Sequence, residues 1–197
     1  MNRKQFFTLL ADRLTTEELA YVQKAYWLAK EAHRRQSRRL TGERYFEHLR
    51  RVALLAGEEF GYWRGDIIAL CLLHDVIEDT YTPPDVIASL FGAKMHIWCR
   101  SLSKEIGAFD AVTGEMIRRA KLTDDQYYGD LFMAHKEPRI VKGCDRIDNL
   151  GDLASWDAAR RQKYEAETRT RVLPIIQVTD LRMVAEIEKR LAVGMAA

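Results

Sequence analysis

The stretch LLHDVIEDT, residues 72–80, follows an apolar run from Ala69 to Leu73 and then sets His74, Asp75, Glu78 and Asp79 within six positions. An imidazole and several carboxylates in one place are ligands for a divalent cation. Beside such a cation, a carboxylate can also orient water and take its proton. Isolated buried carboxylates are costly and persist when paired, hydrogen-bonded or bound to a cation. The plain alternative is a helix that merely surfaces here. The apolar run leading straight into the polar residues weighs against it.

A His–Asp pair cannot hold a metal alone, so further ligands must come from elsewhere. Two candidates are His48, in RYFEHL, and Asp145, in VKGCDRIDNL. Two imidazoles and two carboxylates form a mixed nitrogen and oxygen set that suits Mn²⁺ or another borderline first-row ion, with zinc still open. Because the set holds no thiolate, an open catalytic site fits better than a closed structural one.

The elements that must position these groups read as helices. On one continuous helix each residue turns about 100°, so Asp75, Glu78 and Asp79 lie at ~100°, ~40° and ~140° from His74, on a single face. Thr15 and Glu18 have capping-box spacing ahead of a helix carrying Leu19, Val22, Ala25, Tyr26 and Ala29. FEHLRRVALLAGEEFG is helical to Gly57 or Gly61. TPPDVIASLFG starts with Thr82 as N-cap and Pro83 in the first position, stops at Gly92, and AKMHIWCRSLSK continues as another helix. PRIVKGCDRIDNLGDL opens at Pro138, Pro174 implies a kink or break, and DLRMVAEIEKRLAV closes the chain. Residues 105–135 are mixed, and no alternating strand pattern persists. Tyr21, Tyr26, Trp27, Trp98 and Cys144 are expected in the core, and His33, His96 and His135 read as ordinary histidines.

With 197 residues, 47% of them hydrophobic, the chain suits one all-α domain of about eight to ten helices. A formal net charge of +2 gives no bulk reason to expect nucleic-acid binding, and no run approaches the ~20 apolar residues of a membrane span. Three widely spaced cysteines form no CxxC and fit a reduced, cytoplasmic setting. A homo-oligomer is compatible with this composition.

RRLTGERYFEHL, LLHDVIEDT and DRIDNL together resemble the hydrolase motifs of RelA/SpoT-type alarmone enzymes, within the HD-domain phosphohydrolases. The resemblance is nearest the small single-domain hydrolases of the metazoan SpoT kind, and its motif-bearing core spans about residues 20–180. It implies an HD-type helical fold over residues 1–197, with one Mn²⁺ held by His48, His74, Asp75 and Asp145. Glu78 and Asp79 would activate water for release of the 3′-pyrophosphate of a guanosine alarmone. Arg39 would pack on the purine ring and Asn149 would contact the nucleotide. One helical turn also sets Asn149 beside Asp145. Lys142 and Arg146 flank the late ligand as further phosphate contacts.

The basic cluster Arg34, Arg35, Arg38 and Arg39 reads either as a solvated helix end or, from its place beside the Arg39 motif, as a gate for an anionic substrate. Departures from the family pattern are Leu40 and Arg44, in RKxGEPY positions, and Asp148 and Asp152 in the late motif. They leave the ligand set whole and keep other substrates open: an adenosine alarmone, the 2′-phosphate of NADPH, or a nucleoside monophosphate. A non-catalytic regulatory module is the remaining reading, and the intact Glu78–Asp79 pair argues against it.

Overall fold

The chain's structure, a computed structural model, describes residues 1–38, 41–109 and 116–195. Its centre is α4 (Gly65–Leu73), the segment GDIIALCLL, in which Gly65 and every residue from Ile67 to Leu73 are buried. A helix apolar all round must be wrapped by others. Here the wrapping comes from α2 (Thr16–Ala32), α3 (Tyr45–Leu54), α6 (Pro84–Ser101) and α8 (Lys136–Leu150). Outside them lie α1 (Arg3–Ala11), α7 (Asp124–Met133), α9 (Ala158–Glu167), α10 (Leu173–Gln177) and α11 (Leu181–Met195). One cluster of buried side chains runs from Phe6 to Leu191. Among the described residues the fold is all-α apart from one antiparallel strand pair and an isolated bridge between Ser37 and Arg44.

Local sequence explains the joints. Thr15 and Glu18 form the expected capping box at α2. Glu18 has a second task, because its Oε1 also accepts the Gly65 N–H at 2.9 Å, so one carboxylate caps α2 and the first turn of α4. The two helices approach so closely there that a Cβ on Gly65 would stand 2.6 Å from Glu18 Cβ and 3.0 Å from its Cα.

Several expectations need correction. The helix through LLHDVIEDT is not continuous: α4 stops at Leu73, and a four-residue helix, α5 (Val76–Asp79), follows a turn. Asp75 has ψ −2°, and His74 Nδ1 donates to the Cys71 carbonyl at 2.8 Å, filling an oxygen of the last turn. This split and the short α10 raise the number of α-segments to eleven among the described residues. Residues 105–135 include an antiparallel hairpin, β1 (Glu105–Phe109) with β2 (Met116–Lys121), before α7. Its glycine and arginine content hid the strand pattern. Pro83, not Thr82, caps α6, while Gly92, at a non-helical φ of 85°, ends the first helical stretch and a second continues from it, as the sequence reads. The late motif helix starts at Lys136, so Pro138 lies inside its first turn, where a missing N–H costs nothing. Trp27 is half exposed, not in the core, whereas Tyr26 and Trp98 are buried. His33 is buried as well, within its reading as a surface or structural histidine.

Gly65→Ala should destabilise the fold by about 1–3 kcal/mol, because overpacking against α2 outweighs the better helix propensity of alanine. Urea unfolding checks this: the midpoint should fall with the slope unchanged.

Candidate metal centre

Three helices bring the four expected ligands together. His48 lies on the buried face of α3 with Phe46, Leu49 and Val52. His74 and Asp75 occupy the turn after α4, and Asp145 lies on the buried face of α8. His48 Nε2 stands 3.3 Å from Asp145 Oδ1 and 3.7 Å from Asp75 Oδ2. His74 Nε2 stands 3.0 Å from Asp75 Oδ2 and 3.7 Å from Asp145 Oδ1. Metal–ligand bonds of about 2.0–2.2 Å place adjacent ligand atoms roughly 3.0–3.5 Å apart, so these spacings fit edges of a coordination shell. Among the described residues, His48, His74 and Asp145 form a group able to hold a metal ion, their ligand atoms within 4.8 Å of one another.

The surrounding hydrogen bonds fix which atoms face the centre. His48 Nδ1 donates to Asp148 Oδ2 at 2.7 Å, and His74 Nδ1 donates to the Cys71 carbonyl. Both Nε2 atoms are thereby turned inward, where loss of their protons leaves lone pairs for an ion. His74 Nε2 is buried and makes no hydrogen bond, the mark of a ligand atom whose partner is a cation. Burial alone would lower both histidines. Contacts with Asp145, Asp148 and Asp75 nevertheless push His48 up to about 9, and Asp75 and Asp145 hold His74 well above its ordinary value. Burial would raise the carboxylates, yet His74 holds Asp75, and Lys142 holds Asp145, well below the usual range. The group thus balances two carboxylates against ring protons, which a divalent ion would displace.

Glu78 and Asp79 reach the same cleft, a cavity of about 800 Å³. Glu78 Oε2 accepts the Lys104 N–H, just before β1, at 2.7 Å. Burial, then the charge of Asp75, push its carboxyl up to about 7. Asp79 Oδ2 lies 2.6 Å from the Tyr45 hydroxyl, which is also 2.7 Å from Asp75 Oδ2, so one phenol bridges the ligand and the Glu–Asp pair. Asn149 Nδ2 donates to Asp145 Oδ1 at 2.6 Å, and its own oxygen accepts from Arg38. Lys142 Nζ binds Asp145 Oδ2 at 2.9 Å. Arg146 lies in the cleft wall, but its guanidinium donates to Glu167 at 2.9 Å and Thr168 at 3.0 Å and covers the Tyr164 ring. Those contacts tie α8 to α9 and engage both terminal nitrogens of the guanidinium. Arg39 and Leu40 lie outside the described residues. The basic cluster divides: Arg35 and Arg38 line this cleft, and Arg34 does not.

No family model matches the chain. Over 157 residues it is 34% identical to the guanosine-3′,5′-bis(diphosphate) 3′-pyrophosphohydrolase of Aquifex aeolicus, covering 78% of this chain and 21% of that protein. A probable enzyme of the same name from Mycoplasma genitalium is 27% identical over 167 residues, covering 83% and 22%. The chain is a relative of the RelA/SpoT-type hydrolases. It spans about a fifth of the length of these curated relatives. The solved structure of a metazoan SpoT orthologue, described as hydrolysing ppGpp, superposes with a TM-score of 0.72 over 88% of this chain and 94% of that one, at 19% identity. That likeness establishes a shared fold.

Sequence reasoning missed three members of this site. Tyr45 stands three residues before His48, one helical turn away, a spacing that pointed to the site. Asp148 stands three after Asp145 and was noticed only as a departure. It anchors His48 and also takes Arg51 Nε at 2.7 Å and Arg38 Nη1 at 3.1 Å. His48 and Arg51 hold its carboxyl down to about 2 against burial, so it stays an anion facing the imidazole. Lys104 acts through its backbone N–H, and no sequence signal marks such a donor.

Asp148→Ala should lower metal affinity about 10–100-fold, with Asp148→Glu retaining more of it than Asp148→Ala. Calorimetric titration with Mn²⁺ reads this independently of turnover.

Proposed function

We propose that the chain is a metal-dependent hydrolase acting on guanosine alarmones: ppGpp or pppGpp plus water gives GDP or GTP and pyrophosphate. The observation that carries this reading is the meeting of two inward imidazole nitrogens and two carboxylates beside a carboxyl poised near neutrality. The names of the Aquifex and Mycoplasma relatives supply the substrate class. His48, His74, Asp75 and Asp145 would hold one divalent ion, for which the nitrogen and oxygen set favours Mn²⁺. When bound, that ion supplies Lewis acidity toward phosphate oxygens and lowers the pKa of water.

The chain's own residues do the rest. Glu78, with its carboxyl near 7, is matched to accept the proton of the attacking water at physiological pH. As the water oxygen bonds to the phosphorus nearest the 3′ oxygen, the P–O3′ bond breaks, pyrophosphate leaves and the 3′ oxygen takes up a proton. Tyr45 holds Asp79 and Asp75 in register, so Asp79 orients the water against a fixed frame. Asn149 and Lys142 fix both oxygens of Asp145. Arg35 and Arg38 carry positive charge to the cleft mouth, suited to a polyanion. The single continuous core supports one hydrolase domain over residues 1–197, and three buried free cysteines suit a reducing cytoplasm.

Pyrophosphate release from ppGpp should disappear with EDTA and return with Mn²⁺. Glu78→Gln should bind Mn²⁺ as wild type does and lose about 10²–10⁴-fold in kcat. The same assay across adenosine alarmones, NADPH and nucleoside monophosphates fixes the substrate. Mn²⁺-loaded protein that leaves ppGpp intact while cleaving another of these overturns the guanosine assignment.

A further inference from the structure

A second cavity, of about 490 Å³, lies between α1, α2 and the start of α3. Its wall is cationic and aromatic. Arg34 is paired with Glu31 at 3.2 Å, and Arg50 with Glu47. Arg3, Lys30 and Arg44 have no carboxylate within 4.0 Å among the described residues, although all three line the same concavity. Two of them crowd one indole: Arg3 Cζ is 5.4 Å and Lys30 Nζ 5.1 Å from the Trp27 ring, which is 49% exposed. Like charges gathered without a counterion raise the local potential, and a bound anion relieves it. An open indole between cations adds a surface for a planar ring.

The wall also carries an unanswered polar atom. His33 is 2% exposed, and its Nε2 has no hydrogen-bond partner. Gln36 Nε2 donates to the Asp79 carbonyl at 2.6 Å, so its Oε1 is the acceptor facing His33 Nδ1, also at 2.6 Å. Nδ1 therefore carries the ring proton, and Nε2 is left as a bare acceptor. Burial holds the His33 pKa below its ordinary value, which keeps the ring neutral. Cations for phosphate, an indole for a ring and an acceptor for an N–H or O–H are the requirements of one ligand class.

We propose that this cavity is a second ligand site, for a nucleoside 5′-diphosphate or triphosphate, distinct from the metal cleft. The phosphates meet Arg3, Lys30 and Arg44, the base lies against Trp27, and a base or ribose donor is directed at His33. The two cavities share one partition. His33 stacks on Tyr45 with centroids 4.9 Å apart and planes at 8°, and Tyr45 bridges Asp75 and Asp79 on the other side. An occupant of the second cavity therefore presses on the wall of the first.

The test is titration of GDP into the full chain, followed by the indole N–H resonances of Trp27 and Trp156, each assigned by a Trp→Phe variant. Trp156 lines the metal cleft and reports that site separately. The Trp27 resonance should shift saturably, and Arg3→Glu or Arg44→Glu, both at exposed positions, should weaken that response about tenfold or more while leaving the Trp156 response unchanged. A silent Trp27 at GDP concentrations that saturate Trp156 overturns the proposal. So does a Trp27 response indifferent to both charge reversals, or inorganic pyrophosphate binding there as tightly as GDP, which would mark a mere anion patch. A silent Trp156 beside a responding Trp27 would instead count against the alarmone reading of the cleft and leave the second site standing.

Discussion

Two imidazoles and two carboxylates packed into one buried space impose the constraint on which the rest of the molecule depends. Desolvating carboxylates costs several kcal/mol per ion unless opposite charge and hydrogen bonds compensate. Lys142 supplies part of the compensating charge to Asp145, and the inward imidazole nitrogens leave a cation to supply the rest. His74 Nε2 is the plainest sign, buried and without a hydrogen bond. A divalent ion satisfies all four groups at once, and protons on the rings are the substitute when none is bound.

The fold is arranged to hold that cluster still. α4 is buried on every side and delivers His74 and Asp75 from the middle of the core. α3 and α8 flank it and bring one ligand each, so the ligands report on the packing of three helices. Each ligand is then fixed from behind: His48 by Asp148, His74 by the Cys71 carbonyl, Asp145 by Lys142 and Asn149, and Asp75 by Tyr45. Asp148 passes the restraint outward to Arg38 and Arg51, linking the centre to the polar mouth of the cleft. A metal site with such outer contacts keeps its geometry before the ion arrives, and the reacting groups with it.

The sequence made the meeting of His48, His74, Asp75 and Asp145 and the helical class legible for a physical reason. A buried helix running into His74 and Asp75 conflicts with hydrophobic patterning, and that conflict can be seen without coordinates. Helical spacing likewise joined Asn149 to Asp145. The turn at Asp75 was not legible, because it depends on a side chain capping its own helix end. Neither was the hairpin at residues 105–121, whose arginines and glycine obscure any alternation. Arg146 shows the opposite error. Adjacency to Asp145 invited a phosphate role, but consecutive residues on a helix diverge by about 100°, and the guanidinium turns toward α9. Trp27 was assigned to the core from spacing alone, and only the packing of α1 against α2 shows it half exposed.

The most direct measurement is an anomalous-difference map from crystals of the Mn²⁺-soaked protein. A single peak within bonding distance of His48 Nε2, His74 Nε2 and carboxylate oxygens of Asp75 and Asp145 is the predicted result. A peak that leaves any of these four side chains uncoordinated, or none at saturating Mn²⁺, would contradict the metal centre and the hydrolytic chemistry built on it.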